Sequence, residues 1–357
     1  MSRSFDRLLE KVVAEPGKAH YRSVQRLLEA GPGEEARLCA TADRIRAGQV
    51  GDAVHLRGII ELSNHCRAEC HYCGLRASNA DLVRYRMTPE EILESARLGA
   101  VLGVGTVVLQ SGEDSWYDRS TLADLITRIV TELPVAVTLS LGERSYDDLQ
   151  AFRQAGADRY LLKHETADPR LHRRLRPGRT LERRVRQLRW LRSLGYQVGS
   201  GCIVGLPGQT CDSLAHDVVL MRDLDVDMVG IGPLVPHPAT PLGEAPPGPV
   251  GLTLRVIATT RLCLPQAHIA ATTALATLHP HGRELALQAG ANVVMPNLTP
   301  LRYRRRYEIY PGKVCLDELP GHCLTCLKGR IEGLGRVVGR GRGDSPKWSR
   351  EVGESVG

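Results

Sequence analysis

The chain of 357 residues is poor in aromatic side chains and has no long apolar run. It contains only 2 Phe and 3 Trp, so a large core must be built mainly from Leu, Val, Ile and Ala. No run of about 18 apolar residues is present, which argues against a membrane span. The polar residues 1–7 are not followed by the apolar core of a signal peptide. We therefore expect a cytoplasmic protein that does not associate with membranes.

A disulfide framework is not expected either, although the chain has 10 cysteines. Six of the ten fall into two short groups, a distribution typical of metal binding rather than of a small secreted scaffold. The formal net charge is +7. A mild positive excess suits an anionic substrate or an acidic partner and also allows weak binding of nucleic acid, so charge alone does not decide the function.

Strand and helix patterns alternate along most of the chain. The eight predicted strands are 54–62, 106–110, 135–139, 159–163, 198–204, 228–231, 268–271 and 291–295. Eight βα units in one chain are typical of a closed parallel barrel, so we predict an α/β fold of the (β/α)8 TIM-barrel type. The predicted segments are an N-terminal helical segment 1–50, the barrel 51–300, a C-terminal closing segment 301–340 and a mobile tail 341–357.

Three cysteines, Cys66, Cys70 and Cys73, follow the first predicted strand. The spacing C-x3-C-x2-C allows three thiolates to bind three irons of a 4Fe–4S cluster, and Tyr72 directly precedes the last of them. The fourth iron would lack a protein ligand, and an open metal position is typical of a catalytic site. The pattern predicts S-adenosylmethionine (SAM) bound to that iron and cleaved reductively. A zinc site completed by a neighbouring histidine is the alternative.

Polar or glycine-rich residues end several predicted strands, at the face where barrels carry their sites. The second strand ends in Gln110, Ser111, Gly112 and Glu113, where a carboxylate and carbonyls beside a glycine could bind the methionine ammonium of SAM. A plain turn is the alternative. Residues 199–210 are rich in glycine but lack the G-K-[ST] ending of a phosphate loop. We interpret them as a backbone platform for the nucleoside, or alternatively as tight barrel packing.

Charged and hydroxyl side chains end two further strands. Glu165 ends the fourth, where burial is costly unless the charge is paired or binds a ligand. Together with Arg184 it could hold the ribose and carboxylate of SAM, although Arg184 could instead lie on a solvated basic face. Thr272 and Thr273 follow the seventh strand and offer hydroxyls to an anion or a metal-bound ligand, or they cap the next helix.

A second group of cysteines lies near the end of the chain. Cys315, Cys323 and Cys326 form the pattern C-x7-C-x2-C, again three thiolates without an obvious fourth. We predict an auxiliary Fe–S cluster at these residues. Zinc, with His322 as the fourth ligand, is the alternative.

Longer strings of residues around and after the first cysteine group narrow the set of families that the chain can resemble. They lie within residues 50–340 and comprise 63–64, 72–76, 110–114, 162–166, 171–177, 204–210, 228–238, 271–274, 294–300 and 310–313. In these residues the chain resembles the radical SAM enzymes and, within them, the FeFe-hydrogenase maturases of the HydE type. Biotin synthase and methylornithine synthase share the barrel and the first motif but are less similar across the second half.

The resemblance implies a full barrel with an internal cavity and cleavage of SAM to a 5′-deoxyadenosyl radical. It implies action on a small organometallic iron species carrying CO, cyanide and cysteine, delivered by HydG during assembly of the hydrogenase H-cluster. It adds Tyr72 and Met228 to the SAM-binding residues. The substrate-binding residues that it implies are Arg57, Arg159, Thr272, Thr273 and Tyr307. The Cys315 group matches an auxiliary cluster that only some members carry and that looks dispensable for activity.

The implied partners are the maturases HydG and HydF and an electron donor such as ferredoxin or flavodoxin, and we expect a monomer. One rival function is another small-molecule radical SAM enzyme, related to methylornithine synthase or biotin synthase. The other rival is a metal-containing RNA-binding protein, because arginines are dense in residues 170–192 and 302–307 and are interleaved with aromatics. Such helices more often present a solvated face.

Overall fold

Eight parallel strands form the wall of one barrel in the computed structural model, which describes residues 2–348. They are β1 Ala53–Ser63, β2 Thr106–Ser111, β3 Ala136–Ser140, β4 Arg159–Leu161, β5 Gln197–Ser200, β7 Met228–Val229, β9 His268–Ile269 and β10 Val293–Val294. Two short strands, β6 Ile203–Val204 and β8 Gly232–Pro233, pair only with each other. Each of the eight barrel strands overlaps a strand predicted from the sequence.

The barrel strands follow the order β10-β1-β2-β3-β4-β5-β7-β9, and every neighbouring pair is parallel. The ring closes between β9 and β10. There the backbone N–H of Ala271 donates to Val293 O at 2.8 Å, and that of Asn292 donates to Ile269 O at 2.9 Å. The predicted α/β barrel of the TIM type is therefore confirmed.

Helices cover the outside of the barrel. They are α1 Ser2–Ala14, α2 Tyr21–Leu28, α3 Pro32–Val50, α4 Pro89–Val101, α5 Arg119–Glu132, α6 Tyr146–Gln154, α7 Pro169–Leu175, α8 Leu181–Ser193, α9 Cys211–Asp223, α10 Val250–Cys263, α11 Thr273–Leu278, α12 Gly282–Gln288, α13 Leu301–Arg304 and α14 Pro320–Gly333. A capping box marks the start of α4. In it Thr88 Oγ1 accepts from Glu91 N at 3.2 Å, and the Glu91 carboxylate accepts from Thr88 N at 2.7 Å.

The first three helices, α1 to α3, pack against α9 and α10 and lie within the segment predicted to be helical. The core is mainly aliphatic, as the scarcity of aromatics predicts, and both phenylalanines, Phe5 and Phe152, are buried in it. None of the helices in residues 2–348 combines the length and the apolar character that a membrane span requires.

Residues 337–348, which we call the floor segment, cover the amino-terminal end of the barrel. The segment begins with β11, Val337–Val338, which pairs in parallel with the start of β1. It then crosses the barrel end, where Thr106 Oγ1 donates to Arg342 O at 2.7 Å. Further along, Asp344 Oδ1 accepts from Arg159 and from Gln197, both at 2.6 Å.

This arrangement differs from two expectations. Residues 341–348 were expected in a mobile tail, but they are held by the contacts just described, and the rest of that tail, 349–357, lies outside the described residues. Arg159 was expected to line the cavity and bind anions. It is fully buried at the start of β4, and its guanidinium is occupied by the Asp344 carboxylate and the Arg342 carbonyl. A residue at the beginning of a barrel strand faces the floor, not the catalytic end.

Candidate active site

The cysteine loop, residues 64–80, leaves the carboxyl end of β1, the end at which barrels carry their active sites. A backbone hydrogen bond of 3.1 Å from Arg67 N to Glu113 O joins it to the residues after β2. Gly112 is needed at this junction because a Cβ there would lie 2.7 Å from the Cβ of Cys66. The end of β2 therefore positions the first cysteine.

Arg84, which no sequence motif singled out, and Asn64, which lies in the matched string 63–64, maintain the shape of the loop. Arg84 donates to the carbonyls of Asn64 at 2.6 Å, Arg76 at 2.7 Å and Leu75 at 2.9 Å. The Asn64 amide in turn donates to the Arg306 carbonyl at 2.7 Å and so ties the loop to the closing segment. Arg84 has no local signal in the sequence, since the carbonyls that need its donors converge only in the folded loop.

The three thiols lie in an environment that suits an iron–sulfur cluster. Burial raises the pKa of Cys66, Cys70 and Cys73, so they stay protonated unless a metal cation replaces the proton. Cys66 Sγ also accepts from the backbone N–H of Glu113 at 3.3 Å and of Ala68 at 3.4 Å, and such donors tune cluster sulfurs. Within residues 2–348 no three metal-ligating side chains are prearranged around one point, so the assignment rests on spacing, burial and these donors.

A cavity of about 280 Å³ lies inside the barrel next to the cysteine loop. Its polar lining residues are Glu61, Tyr72, Gln110, Lys163, Glu165, Thr272, Thr273, Tyr310 and Lys313. Tyr72 forms the wall shared with the loop, and its hydroxyl hydrogen-bonds the Cys70 side chain. The remaining lining is mostly apolar, and a few converging polar groups in an apolar cavity are typical of a small-molecule site.

Glu165 enters this cavity from a strained stretch of backbone. Its φ of 69° lies in the left-handed region, which costs energy for a residue other than glycine. The conformation is held because Glu165 N donates to Gly201 O and its carbonyl accepts from Ile203 N, both at 3.0 Å. Lys163 Nζ lies 3.2 Å from the carboxylate. Strain of this kind is typical of functional sites, and the ligand role of Glu165 stays a prediction.

The side chain of Thr272 does not cap α11, so the capping alternative is not supported for this residue. Thr272 is the N-cap residue of α11, but its side chain makes no capping hydrogen bond. Its Oγ1 is buried and has no hydrogen-bond partner among the described residues. Both Thr272 and Thr273 line the cavity. Since an unpaired buried hydroxyl is costly, the Thr272 hydroxyl is available to a ligand.

An ion pair that the sequence interpretation missed closes one side of the cavity. Glu61, at the end of β1, is 1% exposed and pairs with Lys313 of the closing segment. The amide of Asn297 also donates to Glu61 at 3.0 Å. A glutamate among the buried apolar residues Ile59, Ile60 and Leu62 was the available signal, because a buried charge needs a partner.

A second cavity of about 40 Å³ lies deeper in the barrel and is lined by Arg57 and Met228. Arg57 Nη1 lies 2.7 Å from Met228 Sδ, and Nη2 donates to Gly343 O of the floor segment at 3.3 Å. Burial lowers the pKa of Arg57 well below its ordinary value. Met228 therefore lies in the deeper cavity, apart from the predicted SAM-binding residues that line the larger one.

The predicted SAM-binding residues at the end of β2 lie in different surroundings. Gln110 lines the larger cavity, and its side chain hydrogen-bonds Tyr307. Tyr307 is buried behind that wall, with Lys313 Nζ 5.3 Å from its ring centroid. The Ser111 hydroxyl donates to Gly112 O at 2.6 Å, and Ser111 is not among the residues that line the cavity.

Glu113 and Arg184 belong to an ion-pair network on the outer side of the cysteine loop. Glu113 is held by three arginines: Arg179 at 2.5 Å, Arg176 at 3.3 Å and Arg67 at 3.5 Å. Arg184 lies 3.2 Å from Glu143 instead of pairing with Glu165. It is 2% exposed, so the alternative of a solvated face is also wrong for Arg184.

The second cysteine group is only partly brought together. The side chains of Cys315 and Cys323 are hydrogen-bonded, and this contact lowers the pKa of Cys315 to about 6. Arg283 lies 4.0 Å from the Cys315 sulfur. Cys326 lies one turn after Cys323 on α14 and is exposed. The auxiliary cluster at these residues stays a prediction.

Comparison with known proteins agrees with this geometry. The Radical SAM superfamily profile matches residues 60–221. The chain is 52% identical over 303 residues to the [FeFe] hydrogenase maturase subunit HydE of Thermotoga maritima, covering 85% of this chain and 87% of the relative. The chain belongs to the HydE family of radical SAM proteins.

More distant relatives share the same architecture. The 3-methylornithine synthase of Methanosarcina barkeri is 32% identical, over 76% of this chain and 77% of its own. The crystal structure of methylornithine synthase (PylB) superposes with a TM-score of 0.80 at 27% identity, covering 93% of this chain and 97% of the other. The maturase HydG from Carboxydothermus hydrogenoformans, with a TM-score of 0.72 at 18% identity over 83% of this chain and 71% of its own, shares the fold alone.

Proposed function

We propose that this protein is a radical SAM enzyme of FeFe-hydrogenase maturation, which cleaves SAM and acts on a small organometallic iron and cysteine precursor of the H-cluster. Two observations together carry the proposal. The cysteine loop lies at the catalytic end of the barrel against a mainly apolar cavity, in a chain 52% identical to HydE. The identity to 3-methylornithine synthase is lower, at 32%.

Cys66, Cys70 and Cys73 would hold the 4Fe–4S cluster. When bound, the cluster supplies one electron to the sulfonium of SAM, which yields methionine and a 5′-deoxyadenosyl radical. The chain's own contribution is to keep the thiols away from water and to fix their positions through Arg84 and Gly112. Tyr72 lines the cavity beside the thiols, and its ring would help to exclude water from the reacting volume.

Gln110 and Glu165, together with the glycine-rich strand end 199–210, would orient SAM at the mouth of the cavity. Glu165 supports this role because its strained backbone carries its carboxylate to the cavity beside Lys163. A carboxylate held in place by the fold needs little reorganisation when it accepts hydrogen bonds from a ribose. We retain Glu113 and Arg184 only as residues that shape the cysteine loop from outside.

Thr272, Thr273 and Lys163 would hold an anionic or metal-bound substrate. The Thr272 hydroxyl supports this role because it is buried without a partner among the described residues. Cyanide and carboxylate groups are hydrogen-bond acceptors that hydroxyl and ammonium donors can satisfy. Arg57 in the deeper cavity would bind a small anionic portion of the same substrate. The auxiliary cluster at Cys315, Cys323 and Cys326 belongs to this proposal as an optional component.

The proposed partners are HydG as the source of the substrate, HydF downstream of the reaction, and ferredoxin or flavodoxin as the electron donor. The similarity to HydE supports participation in a pathway with other maturases. The closed barrel supports a reaction on a diffusible small molecule, since the cavity of about 280 Å³ is too small for a protein segment. We propose that the protein acts as a monomer.

The test is anaerobic reconstitution with iron and sulfide, followed by reduction with dithionite in the presence of SAM. We expect about four irons at the first site and formation of 5′-deoxyadenosine, and Cys70→Ala should abolish both. Cys263→Ala, which removes an isolated buried thiol of α10, is the matched control and should retain both. Retained iron and 5′-deoxyadenosine in the Cys70 variant would rule out the cluster assignment. Formation of 3-methylornithine instead of conversion of the organometallic precursor would favour a methylornithine synthase.

A further inference from the structure

A surface groove of about 580 Å³ lies outside the barrel, directly beside the cysteine loop. It is separate from the internal cavity and runs between α5, α6 and α8. Arg67 and Glu113 form the wall nearest the loop, and Arg183, Arg186 and Trp190 of α8 form the opposite wall. The function proposed above does not use this groove.

The groove comes within one hydrogen bond of a predicted cluster ligand. Glu113, whose side chain lines the groove, donates its backbone N–H to Cys66 Sγ at 3.3 Å. Arg67, the next residue after Cys66, has a side chain that is 53% exposed. An electron arriving at the groove would therefore have a short path through one hydrogen bond to the Cys66 sulfur.

The residues that line the groove are balanced in charge, with five arginines and five carboxylates, among them Asp114. Arg176, Arg179 and Arg184 lie behind the inner wall and add positive charge there. Five arginines surround the two buried carboxylates Glu113 and Glu143: Arg67, Arg176, Arg179, Arg183 and Arg184. Arg144 also lines the groove and donates to the backbone carbonyls of Tyr117 and Asp114. The acidic residues Asp118 and Asp148 lie at the outer rim, where Arg119 pairs with Asp148 at 2.8 Å. The part next to the cysteine loop is thus positive.

Aromatic side chains border the same groove, although they are rare in this chain. Trp190 lines it, with Tyr146 packed edge-on against the Trp190 ring at 5.6 Å and Arg186 5.7 Å from the ring centre. Trp116, next to the groove residue Ser115, is 53% exposed. Tryptophan, tyrosine and arginine are the residues enriched at energetic centres of protein interfaces. The groove therefore has both the composition and the charge of a docking surface.

We infer that this groove docks a small acidic one-electron carrier protein, which delivers the electron that reduces the cluster. The inference rests on the proposed function, because an electron acceptor must be present behind Cys66. In the step the carrier loses one electron and the cluster gains it, and no bond is made or broken. Charge complementarity decides for an acidic carrier, since positive patches steer acidic partners and raise their association rate.

The test measures direct binding of purified flavodoxin and of purified ferredoxin to the full-length protein by calorimetry over a range of salt concentrations. In Arg183→Glu/Arg186→Glu we expect at least about tenfold weaker binding of the physiological carrier and a flatter salt dependence. The control is Arg7→Glu/Arg44→Glu, which changes charge equally at exposed positions of α1 and α3 and should bind like the unmodified protein.

A second readout separates this inference from the proposed function. With dithionite as reductant, the groove variant should form 5′-deoxyadenosine at the unmodified rate, whereas the carrier-driven rate should fall at least about tenfold. Unchanged carrier binding in the groove variant, or equal weakening in the control, would overturn the docking surface. If no variant forms 5′-deoxyadenosine with dithionite, the proposed function is contradicted. In that case the binding measurement alone tests the docking surface.

Discussion

The two ends of the barrel differ in how their buried polar groups are paired. At the amino-terminal end, Arg159 is fully buried and its partners come from the floor segment, above all the Asp344 carboxylate at 2.6 Å. At the carboxyl end, the Thr272 hydroxyl has no partner among the described residues and Glu165 lies on strained backbone. Arg159 is thus paired by the chain itself, whereas the Thr272 hydroxyl beside the cavity is left unpaired among the described residues.

The largest effect should come from breaking the ion pair at the amino-terminal end. Asp344→Ala leaves the Arg159 charge buried without its carboxylate, which should cost about 3 kcal/mol of unfolding free energy. We place it at the lower end of the range for such pairs because the Asp344 side chain is 24% exposed. Chemical denaturation measures the loss. Arg305→Ala, which removes an ion pair with Asp317 that is exposed on both sides, is the control and should cost less than about 1 kcal/mol.

The ion-pair explanation also predicts how the stability loss in Asp344→Ala depends on pH. Burial alone would raise the pKa of Asp344, but Arg159 and Gln197 outweigh it and hold the pKa below its ordinary value. A carboxyl with a lowered pKa in the folded state contributes stability above its ordinary pKa and loses it as the pH falls through the folded value. The stability gap between the unmodified protein and Asp344→Ala should stay constant above about pH 4 and shrink below it. A gap that persists at lower pH would contradict the ion-pair explanation.

Two glycines that flank β2 allow the two ends to be compared within one strand. A Cβ at Gly112 would lie 2.2 Å from His65 O in the cysteine loop, and one at Gly105 would lie 1.8 Å from Gly341 O in the floor segment. Gly112→Ala should therefore lower iron affinity about 10- to 100-fold, the range seen when groups behind metal ligands are disturbed. Gly105→Ala should leave iron content unchanged and cost about 1–3 kcal/mol of stability.

Measuring the iron content and the thermal unfolding of both variants in parallel tests whether the two ends are independent. Loss of iron in the Gly105 variant would mean that the two ends are not independent. An unaltered iron content in the Gly112 variant would mean that the cysteine loop tolerates displacement from β2.

A smaller effect is expected at the ion pair that closes the cavity. Lys313→Met removes the cation and leaves Glu61 with the Asn297 amide as its remaining partner. Conversion of the substrate should fall about tenfold, the loss expected for one hydrogen bond to a charged group, whereas SAM cleavage without substrate should persist. The double variant Glu61→Gln/Lys313→Met should recover stability because no buried charge is left unpaired. Equal loss of SAM cleavage would place Lys313 in the cluster machinery instead.

The smallest effect should follow removal of the exposed cysteine of the second group. Cys326→Ser is expected to leave 5′-deoxyadenosine formation within about twofold of the unmodified rate, since the thiol lies on α14 away from the cavity. Total iron should fall if an auxiliary cluster is present. Electron paramagnetic resonance of the reduced protein distinguishes one cluster from two, and a large loss of activity would give the second group a catalytic role.

The carboxyl end was far easier to predict from the sequence than the amino-terminal end. Cys66, Cys70 and Cys73 lie within eight residues, and the residues that end each strand share one face once the barrel is assumed. The pair Arg159 and Asp344 is separated by 185 residues, and nothing local marks either as a partner of the other. Arg84 and Lys313 were missed for the same reason, since each binds groups that meet only after folding.

The floor segment also has a consequence for the order in which the protein is made. The cysteines are synthesised early and Asp344 among the last residues described. Until residue 344 leaves the ribosome, Arg159 lacks its carboxylate, and the amino-terminal end of the barrel stays open to water. Domains generally fold as units during synthesis. The final folding step of this barrel must therefore wait for the floor segment, long after the cysteine loop has been synthesised.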